Sequence, residues 1–522
     1  MNPIFRSKYF IISLAFLVIL VGPIVIGYFT IPKANPYTPA GQEAAAPYAV
    51  PSWANAFYGN LPPDIMVPSS YSLIAAKSPS VITYWNLRNM SINGDQVEVL
   101  WVSNFGPTGE SFEKTMSTFG NTGNGSIEVI IKGDNPVNIT LYHTFYYNYL
   151  LPSSLDSFLM QASIYYESSG SQFLFNGYIV NSKNETYWML TSGNYIIPTL
   201  ATVEKYISPK TWIYVLATSG DASLTPWYYT ANLPPSEQAF ANSIFLHSVF
   251  NLTGTYTVQY QISYIPSGKN SSIIIYLSNL LFKFLGSRYG LLGTDDNGAS
   301  VFAEYVQGGA FDLILALIVG AVIVGVGAIT GLLAGYYSGK TDQVLISISD
   351  FILLLPGLAL LIVLITIFQQ IFISSSKVLL IAAVLVLLSW PPTARIIRGQ
   401  TLSIRNMGFV EAAKVLGMSN FQILRKHVVR HVIPIIIAQL IFDIPAVIGI
   451  ESGLDFLGIG IITFPTWGNM LGFSAHAATS APYFAWWWIL PPGIALFLLG
   501  ISLYYIGEAI TRFYGLTSGE SR

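Results

Sequence analysis

The feature that most restricts the fold of this chain is a series of apolar runs, several of them long enough to cross a lipid bilayer. The first, Tyr9–Phe29, carries no charged residue and reaches the ~20 residues that a helix needs to span the hydrocarbon core. The later runs are Phe311–Tyr337, Val344–Ile373, Val378–Trp390, Ile433–Ile450 and Tyr483–Ile510. Together they predict an α-helical integral membrane protein with six transmembrane helices.

A cleaved signal peptide is the alternative for the first run, because such peptides also combine a basic start with an apolar core. Their small-residue cleavage site follows the core closely. The nearest good candidate here, Ala44–Ala46, lies some way downstream. We therefore expect residues 1–30 to remain as an N-terminal transmembrane helix.

The composition supports a membrane protein and excludes several classes of function. Only 10% of the 522 residues are charged, and the mean hydropathy is +0.53, which is unlike a soluble enzyme. The net charge of −2 gives no reason to expect a nucleic-acid partner. The absence of cysteine excludes disulfides, thiolate zinc sites and cysteine nucleophiles.

Residues 31–287 differ in character, because Tyr, Ser, Thr, Asn, Gly and Pro dominate them. In Gly254–Pro266 apolar or aromatic residues alternate with polar ones, which predicts a half-buried strand. Further β-rich segments are Gln96–Ser103, Ile127–Lys132, Asn138–Tyr149, Gln172–Val180 and Thr211–Thr218. We therefore predict a mainly-β domain, inserted between the first and second helices and large enough for its own core.

Sequons of the form N-x-[ST] occur in this β-rich region and nowhere else in the chain. The asparagines are Asn89, Asn124, Asn138, Asn184, Asn251 and Asn270. Their confinement to one domain predicts a glycosylated surface that faces the outside of the cell. Coincidence in a sequence rich in Asn, Ser and Thr is the alternative.

Neither a nucleotide site nor a metal site is predicted. Gly335–Thr341 resembles the end of a phosphate-binding loop, but Ala334 occupies a position that requires glycine. His427 and His431 are spaced i, i+4, which binds zinc only with further ligands, and no suitable carboxylate accompanies them. We therefore expect no catalytic residue, no metal and no cofactor in this chain.

Basic residues are concentrated on one side of the predicted membrane topology. They are Arg395, Arg398, Arg405, Lys414, Arg425, Lys426 and Arg430 in one loop, with Arg6, Lys8, Lys340, Arg512 and Arg522 on the same side. Because short cytoplasmic loops carry an excess of lysine and arginine, this side is predicted to be cytoplasmic. The chain is then a multi-pass cell-membrane protein with both termini cytoplasmic and residues 31–287 extracellular.

Ionisable residues within apolar runs are candidates for a transport pathway. Asp350, Asp443, Glu451 and Asp455 meet this criterion. The alternative is that they cap or tie helices within the bundle, or lie at its water edge. We favour the alternative for Asp350 and Asp455, and both interpretations stay open for Asp443 and Glu451.

The segment Glu411–Pro434 predicts a short helix, a glycine stop and a second, basic helix between two apolar runs. Gly417 suits the position that follows a helix C-terminus. Ser419 with Gln422 three residues later matches a capping box, so a new helix is expected to start there. The second helix is predicted to place Phe421, Leu424, Val428 and Val432 on one face.

This segment resembles the EAA loop of ABC-importer permeases, whose pattern is Glu-Ala-Ala, three residues, then Gly. The matching residues are Glu411, Ala412, Ala413 and Gly417. Other stretches similar to the dipeptide/oligopeptide family, and to its second, C-type permease subunit, are Leu291–Gly298, Gly331–Gly339, Ser389–Gly417, Gly453–Ile461, Pro465–Leu471 and Gly507–Phe513. An amphipathic helix that merely lies on lipid is the alternative for the EAA segment, and these flanking stretches argue against it.

The resemblance implies a permease domain at residues 288–522, with five helices and an EAA coupling loop at 391–431. The chain would form half of the pathway of an ATP-driven peptide importer and would not itself be an enzyme. The implied partners are a second, B-type permease, two cytoplasmic ATPases that bind ATP and magnesium, an extracellular solute-binding protein and membrane lipid. The implied ATPase-coupling residues are Glu411, Ala412, Ala413 and Gly417, with Arg395, Arg398 and Arg405 holding the loop against lipid head groups or ATPase acids.

Several alternatives stay open at this point. The same architecture could import oligosaccharides. A membrane-anchored, glycosylated surface receptor or adhesion protein would explain the β domain but not the EAA segment. A proton-coupled secondary transporter using Asp443 or Glu451 would be favoured by inverted repeats, and none is evident. Within an importer, the β domain is expected to dock the solute-binding protein or to cover the entrance.

Overall fold

The chain forms two compact units in a computed structural model. The model describes residues 8–31, 35–38, 44–90, 96–107, 125–149, 156–169, 171–194, 205–218, 246–371, 376–478 and 484–513. The membrane unit comprises Met1–Lys33 with Ala303–Arg522, and the β unit comprises Ala34–Phe302. The predictions that concern Arg6, Asn124 and Arg522 lie outside the described residues.

The helices belong mainly to the membrane unit. In chain order they are α1 (Lys8–Thr30), α2 (Asn55–Tyr58), α3 (Tyr71–Ile74), α4 (Ser80–Tyr84), α5 (Val301–Tyr337), α6 (Gly339–Leu354), α7 (Gly357–Ile371), α8 (Lys377–Ser389), α9 (Pro391–Arg405), α10 (Gly408–Val415), α11 (Asn420–Ile423), α12 (Val429–Phe456), α13 (Trp467–Ala477) and α14 (Trp486–Phe513). A 3₁₀ turn at Ser52–Ala54 precedes α2, and a π-helical turn at Leu424–Val428 joins α11 to α12.

The β unit contains two sheets, which are antiparallel except where β8 pairs with β9. The strands are β1 (Ile65–Val67), β2 (Asn86–Met90), β3 (Gln96–Ser103), β4 (Gly125–Lys132), β5 (Val137–Tyr147), β6 (Ser157–Ser168), β7 (Gln172–Val180), β8 (Thr186–Gly193), β9 (Lys205–Tyr206), β10 (Ile213–Thr218), β11 (Gly254–Ile265) and β12 (Ser272–Leu285). One sheet has the order β10-β6-β12-β4-β3, with β1 on β12, and the other has the order β2-β5-β11-β7-β8-β9.

The two sheets pack face to face around an aromatic core. Every second residue of β11 points into this core, and Tyr256, Tyr260 and Tyr264 are all buried. The hydroxyl of Tyr260 donates a hydrogen bond of 3.0 Å to the main-chain oxygen of Gln161 in the opposite sheet. The mainly-β domain predicted from the alternating pattern of Gly254–Pro266 is therefore present as a β-sandwich.

Strand prediction was partly successful. Gln96–Ser103 and Gln172–Val180 have the predicted bounds, although Gln172–Val180 is buried over most of its length. Two of the longest strands, Ser157–Ser168 and Ser272–Leu285, were not predicted as strands. Most of Ser157–Ser168 and the second half of Ser272–Leu285 are buried over consecutive residues, so these parts lack the period-two alternation that marks an exposed sheet face.

The membrane unit contains five helices that are long and apolar enough to cross a membrane, among the described residues. These helical stretches are Phe10–Thr30, Val301–Tyr337, Lys377–Arg405, Asn420–Phe456 and Trp486–Arg512. The pair Gly339–Leu354 and Gly357–Ile371 would raise the number to six if it formed one span. The pair corresponds to the predicted span Val344–Ile373, which is not one straight helix.

Pro356 explains why this segment is bent, whereas its crossing of the membrane as one span stays a prediction. The two helices meet at an angle of 88°. Leu355, which precedes the proline, has an extended backbone with ψ 144°. Proline disfavours helical geometry in the residue before it and cannot donate a main-chain hydrogen bond, so α6 ends there and α7 starts in a new direction.

The predicted loop 391–431 is largely helical. Residues Pro391–Arg405 form α9, which follows α8 so directly that Lys377–Arg405 counts as one apolar helix of 29 residues. Proline at the first two positions of α9 presets the backbone angle of the first turn without losing a helical hydrogen bond. The first part of the predicted loop is therefore a helix that continues from α8.

Candidate coupling site

The EAA residues lie on α10 and in the turn that follows it. Glu411 is in the first turn of α10 and is exposed, as a carboxylate near a helix N-terminus should be. Val415 and Leu416, at the end of α10, are 88% and 82% exposed. Phe421, the second residue of the next helical segment, is 63% exposed. We call Val415, Leu416 and Phe421 the coupling surface.

A glycine turn followed by a capped helix holds the coupling surface in place. Gly417 has φ +79°, a left-handed conformation that residues with a side chain adopt at a cost. The next N–H, that of Met418, donates to the Ala413 oxygen at 3.2 Å. Ser419 and Gln422 form the predicted capping box in both directions. The helix, glycine stop and second helix are therefore confirmed.

The inner side of α10 packs against the rest of the membrane unit. Val410 and Ala413 are buried in a cluster that also contains side chains of α5, α9, α11 and α12. The cluster members on those helices are Ala328, Leu332, Tyr336, Ile397, Ile404, Ile423, Val432 and Ile435. In addition, the Tyr336 hydroxyl donates to Asn420 at 3.2 Å. Displacement of α10 would therefore disturb several membrane helices at once.

Burial separates residues that were grouped together from the sequence. Of the two alanines named as coupling residues, Ala413 is buried in the cluster and only Ala412 is exposed. Phe421 does not share the buried face of Leu424, Val428 and Val432. Ile423 occupies that face instead, because the wide π-helical turn that starts at Leu424 changes the angular spacing assumed for an α-helix.

Positive charge surrounds the coupling surface. Lys414, Arg425, Lys426 and Arg430 are all exposed. The Nδ1 atom of the neighbouring His431 lies 2.8 Å from the main-chain oxygen of His427. Among the described residues, no group of three or more His, Cys, Asp or Glu side chains could hold a metal ion.

The arginines of α9 bind residues of this chain, and the expectation that they also contact lipid head groups or ATPase acids stays a prediction. Arg398 donates from Nε and Nη2 to the two carboxylate oxygens of Asp342, at 2.5 and 2.6 Å. Arg395 forms an ion pair with Asp350. Arg405 donates to Ser338. These contacts tie α9 to α6 and the turn that precedes it.

A stripe of glycines brings α5 and α9 into close contact. The glycines at positions 327, 331 and 335 are spaced four residues apart on α5, a spacing that forms a groove for close helix packing. A Cβ atom built at Gly331 would lie 2.5 Å from the Ala394 oxygen, and one at Gly335 would lie 2.7 Å from Cβ of Thr401. The groove is therefore filled by α9, the helix that leads into the coupling site.

The candidate pathway carboxylates are dispersed in the membrane unit. Asp350 forms an ion pair with Arg395, which agrees with the favoured interpretation that Asp350 ties two helices together. Asp443 accepts a hydrogen bond of 3.3 Å from Thr393. Glu451 is 1% exposed and lies one turn before Asp455 on α12. Whether Asp443 or Glu451 lines a pathway stays a prediction.

Sequence reasoning missed a polar network between α12 and α13. Asp455 accepts from Ile461 N–H at 2.6 Å and from the Thr466 hydroxyl. Asp312 on α5 accepts from Trp467 N–H at 2.9 Å. The Asn469 amide donates to two main-chain oxygens of the same connection. Asp312 lies within the apolar run Phe311–Tyr337, so the criterion for ionisable residues in such runs would have found it.

The predicted glycosylation sites lie in the β unit. Asn138, Asn184, Asn251 and Asn270 are exposed, and Asn89 belongs to β2. Exposure is necessary for modification but does not establish it. Glycosylation therefore stays a prediction.

Comparisons with known proteins agree with the membrane unit. A model of the family described as binding-protein-dependent transport system inner membrane component matches residues 327–514. The chain is 31% identical over 223 residues to the oligopeptide transport system permease protein OppC of Haemophilus influenzae, which covers 42% of this chain and 68% of that protein. The chain belongs to this family of ABC-importer permeases. The permease is therefore a multi-pass membrane protein of the C type.

Further relatives extend the same similarity. The permease is 29% identical over 223 residues to OppC of Lactococcus lactis subsp. cremoris, covering 42% of this chain and 74% of that protein. It is 31% identical over 219 residues to the dipeptide transport system permease protein DppC of Bacillus subtilis, covering 42% and 66%. The family match contains α6 to α12, and hence the whole candidate coupling site.

Proposed function

We propose that this permease forms half of the translocation pathway of an ATP-driven peptide importer and couples to cytoplasmic ATPases through α10. The observation that carries the proposal is the exposure of Val415 and Leu416, at 88% and 82%. Large apolar side chains clustered on the surface of a protein usually mark an interaction site. Here they adjoin Glu411, Ala412 and Gly417 of the EAA pattern.

The proposed mechanism is mechanical coupling. When the ATPases bind ATP and close, they push on the coupling surface, and the buried side of α10 passes the force to its cluster on α5, α9 and α12. The bundle then rearranges so that the pathway opens to the other side. Such coupling requires that the two conformations bind the ATPases with different affinity.

The proposed orientation follows from charge. Lys414, Arg425, Lys426 and Arg430 are exposed around the coupling surface, and an excess of such residues marks the cytoplasmic side. The β unit, which is separated from α10 by an odd number of spans in the six-span topology, then lies outside the cell. This orientation also exposes the predicted sequons to the compartment where glycans are found.

The proposed assembly contains a second, B-type permease, two ATPases that carry ATP and magnesium, and an extracellular solute-binding protein. Peptides are the proposed substrates because the relatives are oligopeptide and dipeptide permeases by name. ATP hydrolysis takes place in the ATPases. This chain binds them, forms half of the pathway and changes the shape of that pathway.

The test is to replace both Val415 and Leu416 by serine in the co-expressed importer. Loss of two central apolar contacts should weaken ATPase binding about tenfold or more. We expect the ATPases to be lost when the permease is purified by an affinity tag. Peptide uptake into proteoliposomes should fall in parallel.

Leu100→Ser is the matched control, because Leu100 is also an exposed apolar residue but lies on β3 of the β unit. The control should retain both the ATPases and uptake. Equal recovery of the ATPases with the double variant and the control would refute coupling through this surface. Uptake of oligosaccharides but not peptides by the intact importer would overturn the proposed substrate.

A further inference from the structure

The β unit carries an exposed group of large apolar side chains near its N-terminal end. Phe57 is 83% exposed, and Trp53, Tyr58 and Leu291 are also exposed. We call these four residues the aromatic patch. Residues 44–63 around it contain no Asp, Glu, Lys, Arg or His. A soluble surface normally intersperses such side chains with charge, so this region is unusual for an outward face.

Local structure brings the four residues together. Trp53 and Phe57 are four residues apart on the consecutive helical turns Ser52–Ala54 and Asn55–Tyr58, and therefore share a face. The indole N–H of Trp53 donates to the Leu291 oxygen at 2.8 Å, which fixes Leu291 beside it. With its N–H satisfied in this way, the indole ring can present apolar surface without an unpaired donor.

The aromatic patch lies where the chain enters and leaves the β unit. The N-terminal stretch is hydrogen-bonded along the stretch that follows β12, with Val50 N–H donating to Ser287 at 2.8 Å and Tyr289 N–H to Val50 at 2.9 Å. Val301, the first residue of α5, donates to Gly293 at 3.2 Å. Leu291 of the patch thus lies ten residues before the helix that continues into the membrane unit.

Both covalent links to the membrane helices start from the same end of the β unit. α1 ends at Thr30 and α5 begins at Val301, so both covalent links to membrane helices emerge from the hydrogen-bonded stretches that carry the patch. The opposite end of the unit is the far end of β12, 14 residues away along an extended strand. At about 3.3 Å per residue the two ends are separated by roughly 45 Å.

We propose that the aromatic patch is an interfacial anchor that rests in the head-group region of the lipid leaflet beneath the β unit. Trp, Tyr and Phe with satisfied polar groups are the side chains that prefer this region, and the absence of charge in residues 44–63 removes the cost of bringing it there. The partner is therefore a phospholipid surface. The proposal depends on the membrane insertion of this chain and not on its substrate or its ATPases.

The absence of cysteine makes a direct test possible. Phe57→Cys and, separately, Leu291→Cys are introduced into the full-length protein, spin-labelled and reconstituted into nanodiscs of phosphatidylcholine and phosphatidylglycerol. Interfacial segments lie about 5–10 Å into the boundary between head groups and acyl chains. Both labels should therefore collide more often with oxygen than with a water-soluble nickel chelate, and brominated acyl chains should quench a fluorophore at the same positions.

Lys269→Cys supplies the matched control, since Lys269 is exposed at the far end of the β unit. Its label should be fully accessible to the nickel chelate and unaffected by brominated lipid. Accessibility at positions 57 and 291 equal to that at 269 would overturn the proposal. Protection that appears only when a solute-binding protein is added would also overturn it, and would assign the patch to that protein instead.

Discussion

Two connections between helices of the membrane unit are built in opposite ways. One joins α10 to α11 and carries the coupling surface, and the other, residues 457–466, joins α12 to α13. At the coupling surface, apolar side chains point outward and the turn depends on one glycine, Gly417. Residues 457–466 are instead bound by the buried side chains of Asp455 and Asn469, which flank them on α12 and α13. The first connection leaves apolar side chains exposed, as expected of the proposed contact with another protein, whereas the second is held by its own chain.

The difference appears most clearly in two capping boxes of the same type. Ser419 starts the helical segment after the coupling surface and is exposed, so water can replace its hydrogen bonds. Thr466 starts α13, is buried, and donates to Asp455 as well. The capping box at Ser419 is therefore expected to contribute little to stability and the one at Thr466 more. Water can replace the hydrogen bonds of the exposed box but cannot reach those of the buried box.

The largest effect expected on stability is that of Gly460→Ala. A Cβ atom at this position would overlap the carboxyl group of Asp455, and that carboxyl group cannot move without losing its bonds to Ile461 and Thr466. Overpacking of this kind costs about 3 kcal/mol. The free energy of unfolding can be measured by titrating the purified protein with SDS.

Gly453→Ala is the control for this variant, because nothing lies within 4 Å of a Cβ atom there. Alanine is a better helix former than glycine, so the control should be neutral or more stable by up to about 1 kcal/mol. Similar losses in both variants would show that residues 457–466 are not held as tightly as their contacts indicate.

The next largest effect is that of Thr466→Val, measured in the same way. Valine keeps the shape but removes the acceptor for Asn469 N–H at 3.0 Å and the donor to Asp455. A buried polar group left without its partner costs about 1–3 kcal/mol. Ser419→Ala removes the exposed capping box and should cost about 1 kcal/mol or less. If Ser419→Ala proved the more damaging, the comparison between the two connections would fail.

A smaller effect is expected for Gly417→Ala. The positive φ of Gly417 forces the new side chain into a left-handed conformation, which costs about 1–2 kcal/mol, although there is space for it. Gly408→Ala, at the other end of α10, meets no neighbour and needs no such conformation, so its stability should be unchanged. Equal melting temperatures of both variants would contradict the role assigned to the turn.

The smallest effect on stability belongs to the pair Val415→Ser and Leu416→Ser. Exposed side chains contribute little to folding, so the free energy of unfolding should change by less than about 0.5 kcal/mol. The same variant is expected to lose the ATPases. A marked loss of stability without loss of the ATPases would mean that the coupling surface is part of the fold rather than a contact for another protein.

Local signals in the sequence predicted the coupling region well. Gly417, Ser419 and Gln422 act within one turn of their own positions, so their structure follows from their neighbours in the chain. The ion pair between Arg398 and Asp342 joins residues 56 apart, and the bond from Trp467 to Asp312 joins residues 155 apart. No local pattern specifies such partners, because packing of distant helices determines them.

The periodicity of apolar residues did not predict two further features, the strands β6 and β12 and the bend at Pro356. β6 and the second half of β12 lack alternation because consecutive residues are buried. The bend at Pro356 changes the direction of a run that is mainly apolar on both sides of it. In both cases hydrophobicity predicts burial or membrane insertion correctly. It carries no information on direction once every residue is apolar.

The adjacency of the two ends of the β unit has a consequence for the history of this protein. Since the backbone departs next to the place where it arrives, with Val50 bonded to Ser287 and Tyr289, the intervening residues can be exchanged as one module. A gene can gain or lose such a module in a single recombination event, while the helices on either side keep their order.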